Sequence, residues 1–148
     1  MTASDLVAAV RPVAETLERI GVAFYLTGSV ASSAHGIARA SLDADIVADL
    51  APEHVDSLIA RLESEYYIPA DRLREAVTAR SSCSLIHLAT MFKVDLFVSK
   101  GRPFDREAAA RARPEALDDT PDSVRVPIAS PEDTVLAKLD WTAMRLVA

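Results

Sequence analysis

Apolar residues recur along this 148-residue chain with two different periods, which predict helices and strands in turn. From about Ser4 to Ile20 they return every three or four positions, the spacing of an amphipathic helix, and Gly21 is a typical helix stop. Val22 to Leu26 is a short branched and aromatic run, typical of a buried strand. The same patterns predict helices over Ser29–His35, Pro52–Glu65, Asp71–Ala79 and Pro103–Arg113, and strands over Asp43–Leu50, Ser84–Ala89 and Phe92–Val98.

The segments between these elements predict how they connect. Only Thr90 and Met91 separate two of the strands, which favours an antiparallel hairpin. Pro114 to Asp122 is predicted as an acidic loop, and Val124 to Ile128 as a short edge strand, because Pro127 cannot donate to a ladder.

Ser130-Pro131-Glu132-Asp133 is typical of a helix start, with a hydroxyl cap, proline at the first helical position and acids in the first turn. This last helix is predicted to run through Val135, Leu136, Leu139 and Trp141, with Trp141 as a packing residue. Helices alternating with strands around a central hairpin predict one α/β (α+β) domain over residues 1–148, a small mixed sheet flanked by helices.

Composition narrows the functions open to such a domain. The net charge of −6 argues against a broad basic surface for nucleic acid. Cys83 is the only cysteine, so no internal disulfide forms, and we expect a buried thiol. No histidine pair has metal-ligand spacing. No signal peptide or membrane-spanning run is evident, so we expect a cytoplasmic protein without a membrane partner.

The second predicted strand carries the first candidate chemistry. Because side chains alternate along a strand, Asp43, Asp45 and Asp49 share one face and apolar residues occupy the other. Neighbouring carboxylates repel each other unless a cation or a proton intervenes, and hard oxygen ligands suit Mg²⁺. The alternative is a solvent-facing strand whose polar face happens to be acidic.

Two further features favour a functional site. Thr27-Gly28-Ser29 follows a strand and precedes a helix, where free backbone N–H groups can cradle phosphate. Asp95 is the one acid in an apolar strand, where an unpaired charge is costly to bury. A metal ion shared with Asp43 and Asp45 would explain it; the alternative is that Asp95 faces solvent with Lys93 alongside.

The order of these motifs along the chain resembles that of a known protein family. The segment Leu26-Thr27-Gly28-Ser29-Val30-Ala31, then His35-Gly36, Arg39 and Ser41-Leu42-Asp43-Ala44-Asp45-Ile46-Val47, resembles the signature of the polymerase-β-type nucleotidyltransferases. It is most similar to the minimal bacterial branch that includes the AbiEii-like toxins. The resemblance extends from Tyr25 to Lys138 and is most specific between Gly28 and Asp45.

The resemblance implies a mechanism and a role for each matched residue. Asp43 and Asp45 would bind two Mg²⁺ ions, and Asp95 would be the third metal ligand and help to activate the incoming hydroxyl. Gly28 and Ser29 would hold the β- and γ-phosphates of a nucleoside triphosphate. Lys138, on the last helix, would reach the triphosphate or else be a solvated lysine. Arg39, in the Arg-x-Ser sequence that ends at Ser41, would contact phosphate or orient its loop, or be a surface arginine.

The predicted function is therefore Mg²⁺-dependent transfer of NMP from an NTP such as ATP to an acceptor hydroxyl on a small molecule, an RNA end or a protein. The alternative is a non-catalytic binding module, or the partner component of a toxin–antitoxin-like system. The chain ends soon after Lys138, where similar chains carry more helix. We therefore expect either that a second copy of the chain or a partner protein covers the C-terminal helix, or that the substrate pocket is shallow and incomplete.

Overall fold

The computed structural model describes residues 3–27, 43–117, 124–136 and 139.

The first helix lies near the start of the chain and ends at a glycine turn. Helix α1 spans Ala3–Arg19, as the apolar spacing predicts. Gly21 ends it with a φ of +75°, a conformation that favours glycine. The N–H groups of Gly21 and Val22 then close the last turn on the carbonyls of Glu18 and Leu17.

The described strands form one seven-stranded mixed sheet in the order β3-β4-β5-β2-β1-β7-β6. Two neighbouring pairs, β5 with β2 and β1 with β7, are parallel, and the others are antiparallel. This confirms the predicted mixed α/β architecture. The strands are β1 Phe24–Thr27, β2 Asp43–Ala48, β3 Tyr66–Tyr67, β4 Ser82–His87, β5 Phe92–Val98, β6 Arg113–Ala116 and β7 Arg125–Ile128.

One face of this sheet is buried under helices. A 3₁₀ turn over Pro52–His54 leads into α2, Val55–Leu62, and α3 spans Ala70–Ala79. Helix α1 packs against β2, β5 and α2, and α3 packs against β4. Leu17, Ile46 and Leu96 are fully buried in this layer. The alternation of β2 and β5 therefore places Ala44, Ile46, Val94 and Leu96 in this core and the acids of both strands on the other face.

The second face is divided along its length. Helix α4, Pro103–Arg111, packs there, and its Ala108 joins Tyr25 and Val47 in a small apolar cluster with Phe97 alongside. Beyond that cluster the same face continues as polar residues of four neighbouring strands. We call them the polar row: Thr27 on β1, Asp43 and Asp45 on β2, Lys93 and Asp95 on β5, and Ser84 on β4.

The β4–β5 hairpin is confirmed, and its turn has an identifiable chemistry. Met91 takes a φ of +60°, and its N–H donates to the carbonyl of His87. The Thr90 hydroxyl accepts from the backbone N–H of Phe92 and bonds the His87 ring. The Thr90 side chain thus stabilises a hairpin turn that contains neither Gly nor Asn, the residues on which shorter turns usually rely.

The strand predicted over Val124–Ile128 is confirmed as β7, but its predicted position at the edge of the sheet is wrong. Strand β7 lies between β1 and β6, and β6 uses Arg113–Ala116, which the sequence patterns assigned to a helix end and a loop. Pro114 faces Pro127 in the ladder. Neither residue has an N–H to donate, so the donors come from flanking residues. Burial of Val126 and Ile128, at 0% and 1% exposure, favours the interior position.

None of the described helices is both long enough and apolar enough to cross a membrane. The predicted helix over Ser29–His35, the end of the acidic loop from residue 118 to 122, and Trp141 lie outside the described residues.

Tyr66 ties the short edge strand β3 to helix α1. Its buried hydroxyl donates to the carbonyl oxygen of Ala9, across the interface between the sheet and the helix. Tyr66 is 2% exposed, whereas its neighbour Tyr67 is 57% exposed. Burial raises the pKa of Tyr66, so the phenol stays protonated as a donor.

We expect Tyr66→Phe to lower the free energy of unfolding by about 1 kcal/mol, because it leaves a buried carbonyl without its donor. Urea denaturation followed by circular dichroism measures this change. Tyr67→Phe is the matched control and should have an effect below about 0.5 kcal/mol. Equal effects of the two substitutions would contradict the structural role of the Tyr66 hydroxyl.

Candidate active site

Parallel pairing of β2 and β5 brings the candidate acids together. Asp45 lies directly opposite Asp95, and Asp43 lies opposite Lys93. Neighbouring strands are about 4.8 Å apart, and residues in register point to the same side of the sheet. The structure therefore places Asp43, Asp45 and Asp95 on one face, in adjacent positions of the polar row.

Asp95 is held by a partner on each of its oxygens. The Ser84 hydroxyl donates to Oδ1 at 2.5 Å, and the Lys93 ammonium lies 3.8 Å from Oδ2. The Asp95 side chain is 17% exposed and that of Lys93 is 46% exposed. Lys93 thus lies alongside Asp95, as the solvent-facing alternative expected, but the carboxylate itself is mostly buried.

Thr27 adds a second polar group next to the acids. It pairs with Asp45 across the β1–β2 ladder and is 5% exposed. Its hydroxyl oxygen is buried and has no hydrogen-bond partner among the described residues. A buried hydroxyl without a partner costs stability, so a group outside the described chain, such as a ligand, would satisfy it.

The polar row fits a divalent cation by its chemistry. Three carboxylates and a hydroxyl on one face are the hard oxygen donors that Mg²⁺ prefers. Within the described part of the chain, however, no three Asp, Glu, His or Cys side chains converge as a finished metal site would require. The backbone therefore brings the donors to one place, while the Asp95 carboxylate is engaged by Ser84 and Lys93.

Sequence patterns pointed to the three acids but missed Ser84 as their neighbour. Ser84 shares the alternation that leaves Ser82 and Ile86 on the same face of β4, so its face was predictable. Its pairing with Asp95 depends on the hairpin register, which the turn sequence left undetermined. The other predicted site residues, Gly28, Ser29, Arg39, Ser41 and Lys138, lie outside the described residues.

The opening of the last helix is well defined. Residues 131–136 form its described first part, α5. The backbone N–H of Asp133 donates to the Ser130 hydroxyl at 3.1 Å, which confirms the predicted cap. The Arg111 guanidinium donates to both Asp133 oxygens at 2.8 Å and so links α5 to the end of α4. This pair, 22 residues apart in sequence, was not predicted.

The Tyr25 phenol is buried on the face of the sheet that α4 covers, and this burial and the carboxylates of Asp105 and Asp133 raise its pKa. Asp105 is 8% exposed and accepts from the Arg102 backbone N–H and side chain. Burial, reinforced by the negative charges of Asp105 and Asp133, raises the pKa of Tyr25 to about 12. Tyr25 is therefore a neutral packing residue at neutral pH and lies on the same face as the polar row.

Comparisons with known proteins agree with this architecture. No protein-family model matches the chain, and no curated protein matches it. Among solved structures, a candidate nucleotidyltransferase from Thermotoga maritima, TM1012, superposes with a TM-score of 0.60 at 12% identity. That match covers 99% of this chain and 91% of the other.

A second similar structure is the antibiotic-resistance factor ANT(2'')-Ia. It matches with a TM-score of 0.59 at 9% identity, over 97% of this chain and 75% of the other. The fold is that of the nucleotidyltransferases. In this nucleotidyltransferase fold, the polar row provides the candidate active site.

The Arg111–Asp133 pair predicts a specific pH dependence of stability. The Arg111 hydrogen bonds, opposed in part by burial, hold the pKa of Asp133 below its ordinary value. A lowered folded-state pKa gives stability that is present above the unfolded pKa of about 3.9 and is lost as pH falls through the folded value.

Asp133→Asn should therefore be less stable than the wild type at pH 7, and the difference should shrink as pH falls below about 4. Urea midpoints measured between pH 3 and pH 7 check this expectation. Glu132→Gln, at the exposed neighbouring position, should show no comparable difference. A gap between wild type and Asp133→Asn that is unchanged across this range would rule out the ion pair as its cause.

Proposed function

We propose that this protein transfers an NMP group from a nucleoside triphosphate to an acceptor hydroxyl, with Mg²⁺ at the polar row. The observation that carries the proposal is the register of β2 and β5, which sets Asp45 directly opposite Asp95 within a nucleotidyltransferase fold. The apolar core does not require acids at these positions, because they lie on the face of the sheet that the core does not use.

The polar side chains of three neighbouring strands would have different roles in this reaction. Asp43 and Asp45 on β2 would hold two Mg²⁺ ions, and Asp95 on β5 would share the ion nearer the acceptor. When bound, the ions would lower the pKa of the attacking hydroxyl and neutralise charge on the leaving pyrophosphate. Asp95 would orient the acceptor hydroxyl for in-line attack, and Thr27 would offer its buried hydroxyl to a ligand or to bound water.

The triphosphate would lie beyond the end of β1. Gly28 and Ser29 follow that strand directly, and their backbone N–H groups would cradle the β- and γ-phosphates. Arg39 and Lys138 would neutralise the same phosphates. The strand order then separates two sides of the reaction, because the phosphates approach from β1 and β2 while the acceptor approaches from β5.

The acceptor is proposed only by class. A net charge of −6 disfavours long nucleic acid, which leaves small-molecule hydroxyls, protein side chains and short RNA ends. One structural neighbour is an antibiotic-resistance factor, so antibiotics are one class of small-molecule acceptor to test. The sequence motif from Gly28 to Asp45 supports the further proposal that the chain belongs to a minimal bacterial branch resembling the AbiEii-like toxins.

A second candidate function is a binding module that pairs with another protein, as in a toxin–antitoxin-like system. It is favoured by one observation, the exposure of Val135, Leu136 and Leu139 on the last helix, at 57%, 48% and 61%. Apolar residues in contact with water at helical spacing would be covered by a partner protein or a second copy. This alternative predicts assembly without nucleotidyl transfer.

Calorimetry with each NTP, with and without Mg²⁺, tests the proposed site. We expect Mg²⁺-dependent NTP binding that Asp45→Asn weakens by at least about tenfold, or ~1.4 kcal/mol. Asp49→Asn is the matched control, because Asp49 lies beyond the other end of β2, away from Asp95. Labelled NTP with candidate acceptors then measures transfer.

Each outcome of that series separates the two functions. Transfer that depends on Asp45 supports the enzyme. Mg²⁺-dependent binding of an NTP with no transfer to any acceptor class supports the binding module. Absence of NTP binding in the wild type under all conditions would overturn the proposed site.

A further inference from the structure

Each oxygen of Asp95 has its own partner, and the two partners differ in kind. Ser84 reaches Oδ1 from the neighbouring strand β4, where it lies directly opposite Asp95. Lys93 reaches Oδ2 from two residues earlier on the same strand. One partner is therefore a short neutral side chain on a paired strand, and the other is a long flexible cation.

The position of Lys93 puts its charge within the acid cluster. Its backbone is paired with that of Asp43, and its ammonium lies 3.8 Å from the Asp95 carboxylate. The three acids of the polar row would repel one another without a cation nearby. Lys93 therefore supplies positive charge at the place where a metal ion would supply it.

The two contacts of Asp95 also differ in how easily a bound metal ion would displace them. A hydroxyl can hydrogen-bond one carboxylate oxygen while the other oxygen binds any cation, so the Ser84 contact is compatible with a metal ion. The Lys93 ammonium faces Oδ2 itself, and its side chain is 46% exposed. The contact is long for an ion pair and the Lys93 end of it is half exposed, so a divalent ion can displace the ammonium even though the Asp95 carboxylate is mostly buried.

We propose that Lys93 is a built-in competitor of the metal ion for Asp95, and that Ser84 is the positioning residue that orients this carboxylate for either cation. The inference rests on the proposed function, since it concerns the same site. In the metal-free protein Lys93 compensates the acids. A bound metal ion would displace this ammonium from Oδ2, while the Ser84 hydrogen bond to Oδ1 would stay in place.

The proposal assigns opposite signs to two substitutions. Lys93→Met keeps the length of the side chain but removes the competing charge, so the protein should bind Mn²⁺ severalfold more tightly. Ser84→Ala removes the group that orients the carboxylate, so Mn²⁺ should bind about tenfold more weakly, the size of effect seen when such outer partners are lost. Lys93→Arg keeps the competing charge and should remain near the wild type.

Mn²⁺ alone, without nucleotide, is the probe, and electron paramagnetic resonance of the free ion gives its dissociation constant. Two controls match the changes in charge and in hydroxyl content. Lys100→Met removes one positive charge from just beyond the other end of β5, and Ser82→Ala removes a hydroxyl from the same face of β4. Both controls should bind Mn²⁺ as the wild type does, and urea denaturation verifies that every variant is folded.

The outcomes distinguish this inference from the function on which it rests. Mn²⁺ binding by the wild type that Asp45→Asn removes, with tighter binding in Lys93→Met alone and weaker binding in Ser84→Ala, supports it. Unchanged or weaker binding in Lys93→Met, or equal tightening in Lys100→Met, overturns the competitor role and leaves the proposed function standing. No Mn²⁺ binding by the wild type overturns both.

Discussion

The parallel pairing of β2 with β5 is the interaction on which the rest of the site depends. It joins two strands whose apolar halves face the same core, with Ile46 opposite Leu96, and it thereby sets Asp45 opposite Asp95. A slip of one residue in β5 would turn its acid into the core and its apolar residues outward. Burial of the apolar face therefore determines the geometry of the acidic face, although the two faces point in opposite directions.

The face of the sheet opposite the main core is apolar at one end of its strands and polar at the other. Near Tyr25 and Val47 it is apolar and covered by α4, and two positions further along each strand it becomes the polar row. Covering the whole face would bury the carboxylates without solvent, whereas leaving all of it open would expose the apolar cluster. At the apolar end, Arg111 at the end of α4 binds Asp133 of α5 and so joins these two helices, while Arg102 and Asp105 form a local capping pair at the start of α4.

Elements with a clear period were predictable, and elements defined by long-range pairing were not. The alternation of Asp43 to Ala48 and of Phe92 to Val98 is enough by itself to indicate both strands and the faces of their acids. Strand β6 was missed because its residues have little apolar pattern and pair only with β7. Ser84 and Arg111 were missed for the same reason, since their partners are set by strand register and helix packing rather than by sequence spacing.

The motif residues Gly28, Ser29, Arg39 and Lys138 stay predictions, so the acids carry the proposed function. The fold occurs at 12% and 9% identity in other proteins, so the sheet order does not depend on this particular set of side chains. Three carboxylates lie in adjacent positions on one face, where like charges repel, and the buried Thr27 hydroxyl beside them has no partner among the described residues. Sequences that break local folding rules in this way do so mainly at functional sites. The adjacency of these acids on a face that the core does not use is thus itself the reason to propose that the polar row binds a cation.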